Sequence, residues 1–315
     1  MLLKKLATYN PFPFPVSEQL KPWCLEITII FLLFLIFIYP LMFYLGRKAR
    51  TNDKIRDYFT MTMGLILIST EIYKQILFAY HYNFEGDYHW SLFPFQLCSI
   101  PMYTSAIMPL TRNEKLRKSL FSFMALYGML GGLSVTLYQS SVLTREDYSL
   151  DYQSIIWHFA LIALGIYSAT YLNIGSLSFK KSLKLYQYGT FAFLGFLILA
   201  EIINLLIVLN HGYNEFTAGG NMFYISMFMF NLDIPVLSTI TSTCGWYVGF
   251  IGYTFVLMLG AFVIFSAYYG LNKLTLKILA NQKFQKLILK FTKKENKWVI
   301  NYRLFNKPFT SLAPR

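Results

Sequence analysis

Charge is what this sequence has least of. Only 14% of its 315 residues are Asp, Glu, Lys or Arg, against about 25% in an ordinary soluble domain. Hydrophobic residues make up 56% and aromatics 19%, leaving too few polar side chains to coat a water-soluble globule. Acidic residues are scarcer than basic ones, 15 against 28, for a net charge of +13. A basic balance implies nucleic acid only when it forms a patch on a soluble surface. Here the Lys and Arg residues fall between apolar runs, so nucleic acid is excluded as a partner and the charge is read as setting membrane orientation. Cysteine is rare too. Cys24, Cys98 and Cys244 fit neither a disulfide framework nor a metal-ligand spacing, and no His/Cys/Asp cluster takes their place. No metal or cofactor is therefore expected, while a pairing of Cys24 with Cys244 stays open. No cleavable leader is expected, because Asn-Pro-Phe-Pro-Phe-Pro (10–15) interrupts the apolar run it would need. Residues 1–24 are expected to remain as an extracytoplasmic N-terminal segment.

What is present is a series of apolar runs. A helix crossing a bilayer needs roughly 20 residues at about 1.5 Å rise each. Such runs lie near 25–45, 59–79, 91–110, 118–139, 153–172, 186–209 and 246–268. The expected fold is all-α, a polytopic membrane protein with seven transmembrane helices over 25–268. The connections alternate in charge. Segment 46–58 holds Arg47, Lys48, Arg50, Lys54 and Arg56, whereas 80–90 holds no Lys or Arg. Segment 111–118 has four, 140–152 only Arg145, 173–185 three, 210–245 none, and the chain from 271 onward eleven. By the positive-inside rule the N-terminus is outside and the C-terminus cytoplasmic, as an odd number of spans requires. The expected location is the plasma membrane, multi-pass. Residues 269–315 read as a basic amphipathic cytoplasmic tail, with Leu271 to Lys294 lying on anionic inner-leaflet lipid.

Function is sought among the few polar groups inside the spans, since ionisable residues there are costly. They are Glu71 and Lys74 in the second span, Gln96 and Cys98 in the third, His158 in the fifth, and Glu201 and Asn204 in the sixth. Counting from the outer ends places them in one slab roughly 8–12 Å deep. Glu71 and Lys74 are one turn apart and can neutralise each other. Pro94 and Pro101 flank Cys98, remove two helix donors and expose the thiol. A thiol in apolar surroundings is inert unless a base generates thiolate. His158 is the candidate base, Cys98 the candidate nucleophile on a phospholipid ester, and Gln96 or Asn204 a candidate oxyanion donor. Two other readings remain open. One is a transporter or small-molecule binding protein in which Glu71, Lys74, Glu201 and Asn204 coordinate a solute; no inverted repeat supports it. The other is an assembly factor gripping a partner through its tail. Elsewhere, Gly128, Gly131 and Gly132 read as packing glycines. The apolar stretch from Asn221 to Phe230 is expected to lie as a lid over the outer mouth.

Phe-Pro-Phe-Gln-Leu-Cys (93–98) and Thr-Arg-Asn-Glu-Lys-Leu (111–116) resemble the core of the YwaF-like integral membrane proteins, bacterial relatives of human transmembrane protein 164. Glu71, the glycines of 127–133, His158, Asn204 and Asn221-Met-Phe-Tyr (221–224) match in order over most of residues 60–250. The resemblance implies a multi-span membrane fold. It also implies phospholipid remodelling by a coenzyme A-independent acyltransferase or acyl hydrolase with a Cys/His pair, here Cys98 and His158, and membrane phospholipids as substrate.

Overall fold

The computed structural model describes residues 25–81, 88, 90–137, 148–211, 221–227 and 235–280. The described chain is all-α. Its helices are α1 (Leu25–Ala49), α2 (Asp53–His81), α3 (Ile100–Ile107), α4 (Glu114–Leu137), α5 (Tyr148–Tyr171), α6 (Phe179–His211), α7 (Pro235–Cys244) and α8 (Trp246–Ala280). Five of the described helices, α1, α4, α5, α6 and α8, are long and apolar enough to cross a membrane. Their outward faces carry large apolar side chains such as Phe37, Phe191, Ile198 and Val263, the surface that hydrocarbon rather than water accepts. The protein is a membrane protein.

The second and third expected spans take a different form. Helix α2 has 29 residues, but Glu71, Lys74 and Gln75 interrupt its apolar run. Segment 91–110 is not one helix. It begins with a 3-10 turn at Trp90–Leu92, runs irregularly over 93–99, forms the eight-residue α3, and ends in a second 3-10 turn at Met108–Leu110. The cause is its three prolines, Pro94, Pro101 and Pro109, each lacking the N–H that a continuous helix needs. Side chains fill the gaps: Tyr103 donates to the Pro94 carbonyl at 2.9 Å and Ser105 to the Pro101 carbonyl at 2.6 Å. The segment still runs antiparallel along α2, with the Leu92 carbonyl at Gln75 and Ala106 at Gly64.

At Gly64 the two backbones touch. A Cβ there would stand 2.7 Å from the Ala106 nitrogen. Gly64→Ala is therefore expected to destabilise by about 1–3 kcal/mol through overpacking, read as a lower unfolding midpoint in detergent. An unchanged midpoint would mean that α2 and α3 are free to separate.

Helix α4 starts at a cap, with Asn113 Oδ1 accepting from the backbone N–H groups of Lys115 (3.0 Å) and Leu116 (3.2 Å). Its middle, Met124–Gly128, is a π-helical turn, and every residue of that turn is buried. The widened turn sets Tyr127 flat on Phe193 of α6, centroids 4.4 Å apart, with its hydroxyl 3.0 Å from Thr190. Helix α5 runs through the centre of the bundle, against α1 on one side and α4 on the other.

The connections sort to two ends. At one end Arg50 donates to Asn173 Oδ1 at 2.9 Å, and Asn272 of α8 donates to the Ile174 carbonyl at 2.7 Å. At the other, the Trp90 ring packs on His211, centroids 5.2 Å apart, and Trp246 donates to the Ile225 carbonyl at 3.0 Å. Helix α8 passes through residue 268 without a break and reaches Ala280, so the start of the tail continues the last apolar helix. The remainder of the tail, residues 1–24 with Cys24, and 228–230 of the expected lid lie outside the described residues. Cys98 and Cys244 carry free thiols.

Candidate functional site

Gln96 sits in the irregular stretch where prolines have released the backbone from helix, and its carboxamide reaches across to the turn at 221–226. Gln96 Nε2 donates to the Asn221 carbonyl at 2.9 Å, and Gln96 Oε1 accepts from the Phe223 N–H at 2.8 Å. Asn204 of α6 does the same from another side: its Oδ1 accepts from the Met222 N–H at 2.7 Å and its Nδ2 donates to the Met222 carbonyl at 3.2 Å. Asn221 Oδ1 accepts from the Ser226 N–H at 2.8 Å. Three carboxamides thus replace the partners that secondary structure would otherwise supply, which irregular backbone at membrane depth requires.

The turn is no lid. Met222, Phe223 and Ile225 are wholly buried, so it is a plug inside the bundle, with Phe223 between Phe95 and Phe193. Phe223 and Tyr224 both hold φ near +57°, a left-handed conformation costing non-glycine residues roughly 1–2 kcal/mol each. The side-chain bonds hold it there. Glu201 joins the same network, its Oε2 accepting from Asn204 at 3.1 Å and its Oε1 from the Met227 N–H at 3.4 Å.

Glu71 and Lys74 pair at 2.8 Å, and Glu71 Oε1 also accepts from Gln75 Nε2 at 2.8 Å. Gln75 Nε2 continues to the Leu92 carbonyl at 2.7 Å, and the Tyr88 hydroxyl donates to Gln75 Oε1 at 3.1 Å. Glu71 and Glu201 therefore belong to two networks, linked through the 92–96 backbone and the plug.

Cys98 and His158 belong to one locality. Trp157, the neighbour of His158, donates its indole N–H to the Cys98 carbonyl at 3.1 Å. Adjacent glycines of α4 press on both: a Cβ on Gly131 would meet Cys98 Cα and Cβ at 3.4 Å, and one on Gly132 would meet the His158 carbonyl at 2.9 Å. His158 Nδ1 lies 2.6 Å from the Ser154 carbonyl and therefore carries the proton. That leaves Nε2 as a bare acceptor, buried and without a hydrogen-bond partner. Such an imidazole is neutral and oriented from behind, with Nε2 left open.

A family model described as the TMEM164 family matches residues 18–265. The chain belongs to that family. The match spans all of the residues above, from Glu71 to the plug, and agrees with the resemblance carried by 93–98, His158 and Asn204. Searches of curated proteins and of solved structures return no match. As a member of the family the protein sits in a membrane with lipid as its environment.

Sequence reasoning missed Gln75, Tyr88, Trp157 and Ser154. Gln75 lies four residues after Glu71 and Ser154 four before His158, the spacing of side chains sharing one helix face, so helical periodicity alone pointed to both. Trp157 and Tyr88 left no such signal, since their partners come from other elements. Among the described residues no group of three or more His, Cys, Asp or Glu side chains is arranged to hold a metal.

Proposed function

We propose that this membrane protein transfers acyl groups between lipids through an acyl-cysteine on Cys98. The observation that carries the reading is the His158 imidazole, its Nδ1 tied to the Ser154 carbonyl and its Nε2 buried and unpartnered, one residue from the Trp157 that holds the Cys98 carbonyl. In the first half-reaction His158 Nε2 takes the Cys98 proton, and the thiolate adds to a phospholipid ester carbonyl. The tetrahedral adduct collapses, the C–O bond breaks, and the departing lysolipid oxygen receives the proton from His158. In the second, His158 deprotonates an acceptor hydroxyl that attacks the thioester. The C–S bond breaks and the thiol regains its proton. Water as acceptor makes the protein an acyl hydrolase. Coenzyme A has no part in either half.

Gln96 and Asn204 are assigned here to holding the plug rather than to an oxyanion, because their carboxamides are engaged with its backbone. The reading places seven crossings in the plasma membrane, with α2 and the 91–110 segment as the second and third. The N-terminus is outside, and the basic tail lies on anionic inner-leaflet lipid. The antiparallel course of 92–106 along α2 and the sorting of basic connections toward the Arg50/Asn173 end support this topology.

The test is mass spectrometry of the full-length protein after incubation with phospholipid. A hydroxylamine-labile acyl group on Cys98, absent from Cys98→Ala, is the expected result. Unmodified Cys98 with unchanged lipid after prolonged incubation would overturn the proposal and favour solute binding at Glu71 and Glu201.

A further inference from the structure

The contact between α2 and the segment beside it changes along its length. At Gly64 backbone meets backbone. Near Gln75 the gap is wide enough that a glutamine side chain spans it to reach the Leu92 carbonyl. Two elements that touch at one level and are bridged by a side chain at another diverge, and a groove of about 560 Å³ lies between them. It runs along α2 from Ile68 to Ala79, a length of about 16 Å at helical rise. Ile68, Ile72 and Ile76 form one wall, and Pro94, Met102 and Tyr103 the other. Glu71 and Gln75 are the charged and amide side chains in it, and both are bonded to groups of the protein itself.

Two features fix the class of occupant. The groove opens on the lipid-facing side, where Ile72 is 54% and Ile76 48% exposed, so its contents come from the bilayer and not from water. Its floor adjoins the nucleophile: Ile68, Met102 and Tyr103 also pack in the cluster containing Cys98 and Trp157. Its volume lies within the roughly 300–1,000 Å³ of small-ligand clefts, and its long, narrow, apolar form suits a hydrocarbon chain.

We propose that this groove seats one acyl chain of a bilayer phospholipid, admitted sideways between α2 and residues 94–103, and so presents that lipid's ester to Cys98. The assignment rests on the acyl-cysteine reading for its purpose, but not for its detection. Pro94 and Pro101 then have a further role. By keeping 93–99 out of helix they hold the second wall away from α2.

The experiment uses the full chain in phosphatidylcholine vesicles containing a trace of phosphatidylcholine with a photoactivatable diazirine in its acyl chain. Adducts mapped after illumination are expected on 68–79 and 94–103 at about tenfold the density found around Val256, Leu259 and Val263 of α8, a preference of roughly 1.4 kcal/mol. Those α8 residues are comparably exposed to lipid. Ile72→Trp, and separately Ile76→Trp, should remove the preference and slow long-chain acylation of Cys98, whereas Val263→Trp should leave both intact. Adducts no denser than on α8, or a preference that survives both tryptophans, would overturn the proposal. The labelling is repeated in Cys98→Ala. Groove adducts there, with no acylation in the unaltered protein, would retain the groove and sink the acyltransferase reading instead.

Discussion

His158→Ala is expected to slow formation of the acyl group on Cys98 by about 10²–10⁴-fold, the range spanned by a positioned general base. The size follows from the arrangement around the ring. Its Nδ1 proton is held by the Ser154 carbonyl at 2.6 Å, so the tautomer with a free Nε2 lone pair is selected before substrate arrives. The thiol, which does not yet bond Nε2, has only to turn to a lone pair already in place. Position is fixed from a second side, where Gly132 lets α4 close on the His158 carbonyl and on Leu161 and Ile162. The loss should shrink as pH rises, because hydroxide can then generate thiolate without the imidazole. Rates of acyl-Cys98 formation followed by mass spectrometry between neutral and alkaline pH check both statements. An unchanged rate at neutral pH would remove His158 from the reaction.

Asn204→Leu is expected to cost about 2–5 kcal/mol, because it leaves the Met222 N–H and carbonyl without their side-chain partner at about 1–3 kcal/mol each. The carbonyl keeps only the long bond from the Ile225 N–H at 3.4 Å. Met222 is wholly buried, and the asparagine that serves it is itself fully enclosed. Gln96→Leu should cost less, about 1–3 kcal/mol, because it orphans the Phe223 N–H while the Asn221 carbonyl keeps the Tyr224 N–H. The double variant should lose less than the sum, because both residues hold one turn and its strained φ values are released once. Unfolding midpoints in detergent measure the cycle, and faster proteolysis in the 210–245 connection reports where the structure gave way. Strict additivity would mean that the two carboxamides act on independent elements.

The apolar helices were legible because length and hydropathy decide them. The runs at 25–45, 118–139, 153–172, 186–209 and 246–268 each fall within one of the five helices able to span, or overlap most of it. Segment 91–110 was legible as apolar but not as irregular. Its prolines were visible, yet spans tolerate proline wherever other groups satisfy the freed backbone, and that satisfaction comes here from Tyr103, Gln75 and Trp157. The π turn at Met124–Gly128 leaves no mark in a run of ordinary helix formers. The plug was harder still. An apolar stretch too short to span can lie on a surface or fold inward, and the choice depends on whether distant polar side chains wait to receive it. Gln96 and Asn204 were both singled out as polar groups at membrane depth. What composition could not reveal is that their partners are backbone atoms.

The plug also constrains how the protein is made. Its backbone partners come from residue 96, residue 204 and, through the Trp246 indole, the start of the final helix. Apart from the local bond from the Ser226 N–H to Asn221 Oδ1, these partners lie 18 or more residues away in sequence, so the turn depends on distant elements to hold its shape. The turn is accordingly the last piece to be placed, and its arrival locks helices inserted much earlier. Maturation of the newly made chain therefore ends when this turn docks among helices that are already placed.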